Sequence, residues 1–113
     1  MVTKEYIEKL IAKNNTQLKI YKSNLEENYL HYFEWLADKI FKLEWKNNVL
    51  NTLLSIFNDG DNKNAVESVE RLRERYRIEL TTQSLMTSST NALTNLASLW
   101  ECECKQNLIA DLS

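Results

Sequence analysis

The sequence has almost none of the residues that form tight turns: it contains no proline and a single glycine, Gly60. Folds rich in β-strands and doubly wound α/β folds need many tight turns, which normally contain glycine or proline. This near absence favours long helices with few connections. The chain of 113 residues is long enough for one domain with one modest core, so we expect residues 1–113 to form a single all-α domain.

Strong charge and long apolar runs are also missing. The net charge of −2 gives no overall basic field to attract nucleic acid or an anionic membrane. No run of about 18 apolar residues predicts a membrane span, and residues 1–10 lack the continuous apolar core of a signal peptide. Two cysteines do not make a disulfide framework. We therefore expect a reducing, cytoplasmic location and no membrane contact.

The motifs of common catalytic and phosphate-binding sites are absent from the sequence. It contains no G-x-S-x-G, no Walker loop and no H-E-x-x-H, and one glycine cannot make a phosphate cradle. His31 is the only histidine. Asp59, Asp61 and Glu70 have the spacing of calcium-loop ligands, but Lys63 in the fifth position of that loop would repel a cation. We predict no enzyme activity and no cofactor.

The two cysteines, Cys102 and Cys104, invite comparison with a metal or redox site. Side chains two residues apart on a helix point about 200° from each other, so these thiols cannot hold one ion. Cys104 shares the helical register of Trp100 and Leu108, which predicts a buried thiol, whereas Cys102 faces away from that stripe. We interpret both as structural residues and predict no metal site.

Apolar residues keep one helical phase up to residue 57, which predicts one long helix over residues 3–57, or two helices that are nearly collinear. Two series with a spacing of seven residues make up much of this stripe, and the second is offset from the first by four. Poor helix formers and a capping-box pattern leave open a break near residues 13–24. The first series is Ile11, Leu18, Leu25 and Tyr32; the second is Tyr29, Leu36, Leu43, Leu50 and Phe57.

Residues 57–64 form the clearest connection, because turn-forming residues are concentrated there. We expect Gly60 to adopt the left-handed conformation that ends a helix, and Asn62 or Asn64 to cap the next helix. Two further helices, over residues 64–80 and 84–111, are predicted to pack back antiparallel along the long helix. The apolar stripe of the last helix is Met86, Leu93, Leu96, Ala97, Trp100, Cys104 and Leu108.

A second apolar face on the long helix points most directly to function. Phe41, Trp45, Val49 and Ile56 lie opposite the main stripe, and Trp35 lies on the flank between the two faces. A helix that is apolar on both sides must be covered on both sides. The extra cover is the first helix folded back at a break, or a second subunit, or a partner protein. Tryptophan is common among interface anchors, so we favour an intermolecular cover over an ordinary core.

Every arginine of the chain lies in one short stretch: Arg71, Arg73, Arg75 and Arg77. On a helix they form two rows, Arg71 with Arg75 and Arg73 with Arg77. Interleaved glutamates favour a solvated face with ion pairs between residues four apart. The alternative is a contact with an anion or with nucleic acid, to which lysines of the first helix would contribute. These lysines are Lys4, Lys9, Lys13, Lys19 and Lys22.

The sequence thus predicts an all-α protein, either an elongated helical hairpin that dimerises with coiled-coil-like packing or a compact four-helix bundle, and we favour the first. The expected function is protein binding by an adaptor, assembly factor or inhibitor, which buries the second apolar face against a partner or a second copy of the chain. The alternative is a helical subunit associated with nucleic acid or nucleoprotein through residues 71–77 and the N-terminal lysines.

Overall fold

The computed structural model of the chain describes residues 2–85 and 92–113, apart from the side chains of residues 30–32, 34, 82–85 and 92–97. The described residues form four α-helices and no strand, which confirms the predicted all-helical class. The helices are α1 (Lys4–Glu27), α2 (Tyr29–Asp59), α3 (Asn62–Leu85) and α4 (Ala92–Asp111). The side chains of His31, Tyr32, Met86, Leu93, Leu96 and Ala97, considered above, lie outside the described residues.

The predicted long helix is two helices, because the chain breaks at Asn28. Asn28 has φ −151° and ψ 82°, which are far from helical values, and its N–H donates to the Asn24 carbonyl oxygen at 3.2 Å. The break therefore lies beyond the window 13–24 that the sequence indicated, and Ser23 of the capping-box pattern lies inside α1. Asparagine suits this position because its short polar side chain is compatible with turn conformations.

The weak helix formers of α1 remain helical because tertiary hydrogen bonds compensate for their low propensity. Asn14 Nδ2 donates to Asn47 Oδ1 at 2.9 Å, and Asn47 Nδ2 donates to Asn15 Oδ1 at 2.9 Å. Asn47 is buried in α2. We name these three residues the asparagine cluster; it joins α1 to α2 at a defined register, as buried asparagines do in coiled coils.

The turn between α2 and α3 differs in detail from the prediction. Gly60 does not have a positive φ, and a Cβ atom at this position would lie 3.7 Å from the Ile56 carbonyl oxygen, an ordinary contact. The backbone therefore does not require glycine here. Asp61 caps α3 in place of the two predicted asparagines, since its Oδ1 accepts a hydrogen bond from the Lys63 N–H at 3.1 Å.

α3 is longer at both ends than the predicted 64–80 and continues through the polar run that was expected to interrupt it. Thr81 Oγ1 donates to the Arg77 carbonyl oxygen at 3.0 Å, so a hydroxyl that competes with helix formation in other contexts is satisfied within the helix. α4 begins at Ala92. Residues 86–91, which the prediction assigned to the last helix, lie outside the described residues.

The core follows the seven-residue spacing of α2. Leu36, Leu43, Leu50 and Phe57 are buried, as their series predicts, and Leu50 is only 1% exposed. Tyr29, the first member of that series, is exposed because it directly follows the break between α1 and α2. The buried or half-buried members of the first series are Ile11, Leu18 and Leu25.

α1 and α3 both run antiparallel to α2 and pack against different faces of it. The α1–α2 contact contains the asparagine cluster and an ion pair between Lys22 Nζ and Glu44 Oε1 at 2.6 Å. The α2–α3 contact contains the rings of Trp45 and Tyr76, whose centroids are 6.0 Å apart. The shape of the bundle is set by α2, which contacts each of the other three helices.

α4 runs antiparallel to α3 and hence parallel to α2, which corrects the prediction that both C-terminal helices pack back antiparallel along the long helix. Lys105 Nζ pairs with Glu79 Oε2 at 2.9 Å, and Arg73 Nη2 donates to Ser113 Oγ at 3.1 Å. Later residues of α4 thus meet earlier residues of α3. The reason is that the chain reverses direction twice, between α2 and α3 and again between α3 and α4, so α4 runs the same way as α2.

Lys42 joins α2 to α4. Its ammonium group binds the Glu103 carboxylate of α4 and lies 3.5 Å from Asp38 Oδ2 of its own helix. The Cys104 thiol donates to the Lys42 carbonyl oxygen at 3.6 Å. The hydrogen bond with Glu103 raises the pKa of Lys42, so the lysine remains charged at this contact.

The bundle is flat rather than square in cross-section, with Cα extents of 47 × 36 × 19 Å. Its longest dimension corresponds to the 31 residues of α2, which span about 46 Å at 1.5 Å per residue. The radius of gyration of 15.8 Å exceeds the roughly 13 Å expected for a compact domain of this length. The chain therefore forms a flattened helical bundle, between the two predicted shapes.

Candidate functional site

Two aromatic residues of the predicted partner interface, Phe41 and Trp45, have partners inside the chain. The Phe41 ring packs on the Trp100 ring with centroids 5.3 Å apart, and the Trp45 ring packs on Tyr76. These aromatic pairs cover the second apolar face of α2 with α3 and α4. Phe41 and Trp45 thus have intramolecular cover, because α1 folds back on the first face and leaves the C-terminal helices to cover the second. Both side chains remain half-buried, and their contact with a partner stays a prediction.

Trp35 differs from the other members of the predicted interface, because its side chain is 70% exposed. Nearby on α2, the rings of Tyr29 and Phe33 are also exposed and pack on each other with centroids 5.2 Å apart. Trp35 points about 200° from Phe33 around the helix axis. The three rings therefore do not form one continuous face.

Val49 and Ile56, the remaining members of the predicted interface, line a groove that we name the α2–α3 groove. Its volume is about 370 Å³, which is within the range of ligand pockets. The α2 wall has the i, i+3, i+4, i+7 spacing of one helix face, and its third member, Leu53, is buried. The lining residues are Val49, Thr52, Leu53 and Ile56 of α2 and Ser68, Arg71, Leu72, Arg75 and Tyr76 of α3.

The charge of the α2–α3 groove is opposite to that of the whole protein. Of the described residues that line it, Arg71 and Arg75 are the two that carry charge, whereas the protein has a net charge of −2. Both arginines are exposed, and Arg71 Nη2 donates to Ser68 Oγ at 3.4 Å. They occupy consecutive turns of α3, about 6 Å apart along the helix axis. The groove thus combines apolar walls with a basic rim.

Arg75 is held in position by neighbours on α3 and α4. Its Nε lies 3.4 Å from Glu79 Oε1, and its guanidinium carbon lies 5.6 Å from the centroid of the Tyr76 ring. Glu79 also binds Lys105, whose side chain is 9% exposed and whose ammonium lies 5.7 Å from the same ring centroid. Burial raises the pKa of Tyr76. These contacts restrict Arg75, so less side-chain entropy is lost when it binds an anion.

The other two arginines make different contacts, so the structure divides the predicted four-arginine site. The Arg73 side chain is 15% exposed, and its Nη1 lies 2.9 Å from Glu70 Oε1. Its second contact, with Ser113, ties α3 to the C-terminal end of the chain. Arg77 Nη1 lies 3.4 Å from Glu74 Oε2. Both of these ion pairs join residues three apart, whereas the Arg75–Glu79 pair has the spacing of four that the sequence suggested.

The lysines of α1 lie on a different face of the molecule from the arginine rim. Asn47, which contacts α1, and Val49, which lines the α2–α3 groove, are two residues apart and so point about 200° from each other on α2. Lys4 Nζ lies 3.9 Å from Glu8 Oε1, and Lys22 is paired with α2. The structure does not bring the predicted lysines and arginines into one basic surface. The exposed members of the lysine set also include Lys9, Lys13 and Lys19.

A second cavity lies where the start of α1 meets the turn between α2 and α3. Its volume is about 520 Å³, larger than that of the α2–α3 groove. Its lining contains two lysines and two glutamates, so their charges balance. These residues are Lys4, Glu5, Lys63 and Glu67, beside Val2, Thr3, Phe57, Asn62 and Val66. The larger cavity therefore gives no indication of the charge of a ligand.

The cysteines have the burial that the helical register predicts for a structural role. Cys104 is buried and Cys102 is half-buried, and neither forms a disulfide. Burial raises the pKa of Cys104 to about 11, so its thiolate, which is the reactive form, is scarce at neutral pH. Among the described residues, no group of three or more His, Cys, Asp or Glu side chains is placed to hold a metal ion.

Sequence reasoning identified parts of the α2–α3 groove but did not combine them. It assigned Val49 and Ile56 to one hypothesis and Arg71 and Arg75 to another. Thr52 and Ser68 carried no signal of their own, whereas Leu72 fits the apolar face of the helix predicted over residues 64–80. The signal that was present is the matched periodicity of the two walls, since positions 49, 52, 53 and 56 repeat with the same spacing as positions 68, 71, 72 and 75.

Comparison with known proteins gives no family or relative for this chain. No protein-family model matches the sequence, no curated protein matches it, and no solved structure matches it. Over the residues that the structure describes, no helix has the length and apolar character needed to cross a membrane.

Proposed function

We propose that the protein is a non-enzymatic interaction module, acting as an adaptor, assembly factor or inhibitor, that binds a segment of another protein in the α2–α3 groove. The observation that carries this proposal is the combination of an apolar groove with two exposed arginines on its rim. Protein interfaces are typically built with an apolar centre and a polar rim, and arginine is enriched in them. A partner segment that fits this surface has apolar side chains for the groove, flanked by hydrogen-bond acceptors for the two arginines.

The proposal modifies the original interface hypothesis rather than repeating it. Phe41 and Trp45 support the site from within, because their intramolecular ring contacts fix α2 against α3 and α4. Val49 and Ile56 are half-buried and leave part of their surface to a partner. A second copy of the chain is one form that the partner can take, and the same experiment tests it.

Association with nucleic acid has weaker support than protein binding. A nucleic-acid surface needs several basic side chains along one face, and the charged side chains that line the α2–α3 groove are Arg71 and Arg75, without Arg73 and Arg77. The basic rim is therefore two arginines wide. Two arginines can pair with two carboxylates, but they cover too few phosphates for a typical nucleic-acid surface.

The test is a substitution that fills the groove without disturbing the core. Thr52 is exposed, and its hydroxyl donates to the Asn48 carbonyl oxygen at 3.1 Å. Thr52→Tyr places a ring in the α2–α3 groove. Thr16→Tyr is the matched control, because Thr16 is exposed on α1 and its hydroxyl makes the same kind of bond, to the Ala12 carbonyl oxygen at 3.0 Å.

We expect a protein captured from the native host to bind the wild type and Thr16→Tyr equally and Thr52→Tyr at least about 10-fold more weakly, as for loss of a central contact. Calorimetry with the purified partner measures this ratio, and light scattering of each variant detects self-association through the groove. Equal affinity for all three proteins would contradict the assignment of the groove. So would nucleic-acid binding that Thr52→Tyr leaves unchanged.

A further inference from the structure

We infer that the occupant of the α2–α3 groove is an acidic amphipathic helix, whose apolar side chains enter between α2 and α3 and whose carboxylates pair with Arg71 and Arg75. This inference rests on the proposed function and specifies the partner. It is argued from the shape of the walls, from the length of the groove and from the charge of its rim.

The walls of the groove suit a helix. Both are faces of α-helices with repeats at three and four residues, and a third helix packs into such a groove by placing its own i, i+3 and i+4 side chains between the ridges. Another way to hold a peptide is to add it as a strand to a sheet, which needs the unpaired edge of a strand. The described residues contain no strand, so that mode has no site here.

The length of the groove sets how much of a helix it holds. From Val49 to Ile56 the α2 wall covers about 11 Å, and from Ser68 to Tyr76 the α3 wall covers about 12 Å. This corresponds to about two turns of a partner helix. Two such turns insert apolar side chains at i, i+3 or i+4 and i+7.

The charge of the rim selects acidic side chains on that helix. Arg71 and Arg75 are separated by four residues of α3, and two carboxylates four residues apart on a partner helix have the same axial spacing of about 6 Å. Arginine binds carboxylate with a planar fork of donors. The preference is specific to this site, because the second cavity has balanced charges and the whole chain is slightly acidic.

The experiment uses three designed helical peptides of about 18 residues, which is about five turns. All three carry leucine at i, i+3, i+4 and i+7, and they differ only in the residues that flank the leucine face, which are Glu, Gln or Lys. We expect the wild type to bind the Glu peptide about 3- to 10-fold more tightly than the Gln peptide, and the Lys peptide most weakly. The difference is expected to shrink in high salt, because exposed ion pairs are screened.

A charge reversal then tests which residues set the preference. Arg71→Glu/Arg75→Glu is expected to bind the Lys peptide best and the Glu peptide worst. Lys9→Glu/Lys13→Glu is the matched control, since these residues are also exposed and four apart, on α1, and the net charge changes equally. The control is expected to retain the order of the wild type. Equal thermal midpoints by circular dichroism establish that both variants are folded.

A result that differs from these expected peptide affinities overturns a stated part of the inference. If the three peptides bind the wild type equally and Thr52→Tyr weakens all of them, the acidic preference is wrong and the groove assignment stands. If no peptide binds but Thr52→Tyr still weakens the captured partner, the helical occupant is wrong and the proposed function stands; if Thr52→Tyr has no effect on that partner either, both fail. If a mixed-sequence single-stranded DNA binds more tightly than the Glu peptide and loses affinity in Arg71→Glu/Arg75→Glu, the rim recognises nucleic acid.

Discussion

On one face of α2 lies α1, joined to it by hydrogen bonds between the buried Asn47 and two asparagines of α1. On another face lies α3, which leaves a groove between α2 and α3. In the α1–α2 contact, polar side chains lie between the two helices, where Asn47 forms hydrogen bonds with both Asn14 and Asn15. The α3 contact holds its arginines outward at the rim. Polar groups that are buried and satisfied fix register, whereas polar groups at the edge of an apolar groove are available to a partner.

The two contacts also differ in how they use apolar residues. Leu50 is in the fully buried core between the helices, while its neighbour Val49 is half-buried beside the α2–α3 groove. These two adjacent residues of α2 thus have different roles. Leu50 stabilises the core, and Val49 contributes to the candidate site. Three predictions test this difference.

The largest effect is expected from Leu50→Ala. Loss of a fully buried leucine side chain should lower the free energy of unfolding by about 2–5 kcal/mol. Val49→Ala removes less buried surface and should cost about 1 kcal/mol. Urea denaturation of the two variants measures both values. Equal losses would mean that Val49 belongs to the core as fully as Leu50, and the distinction between the two sides of α2 would not hold.

A smaller effect is expected from Asn47→Ala, which removes both bonds of the asparagine cluster. The substitution should lower the free energy of unfolding by about 1–3 kcal/mol, because partner groups in a partly buried site are left without hydrogen bonds. Asn51→Ala is the control, since Asn51 is exposed one turn later on α2. If both variants unfold at the same urea concentration, the cluster does not stabilise the α1–α2 contact.

The sequence was informative where a pattern depended on one helix at a time. The seven-residue series of α2 predicted the buried residues Leu36, Leu43 and Leu50, and the register of α4 predicted the buried thiol of Cys104. Both follow from helical periodicity and need no knowledge of neighbouring helices.

Features that depended on two helices were predicted less well. The break was expected within 13–24, because propensity alone makes those residues weak, but Asn14 and Asn15 are held helical by Asn47 from another helix. The break occurs instead at Asn28, where the helical phase continues in the sequence and hides the change of direction. That hidden reversal is also why the cover of Trp45 was assigned to a partner protein.

The central claim is that the α2–α3 groove is the binding surface of this protein, and methyl chemical-shift mapping tests it most directly. Titration of the wild type with the Glu-flanked peptide should shift the methyl resonances of Val49, Leu53, Ile56 and Leu72, which line the groove. The methyl resonances of Leu18 and Leu36, which are buried elsewhere, should remain in place. Shifts that are absent from the groove, or that centre on Ile20 or Leu99 at the exposed surface, would contradict the claim.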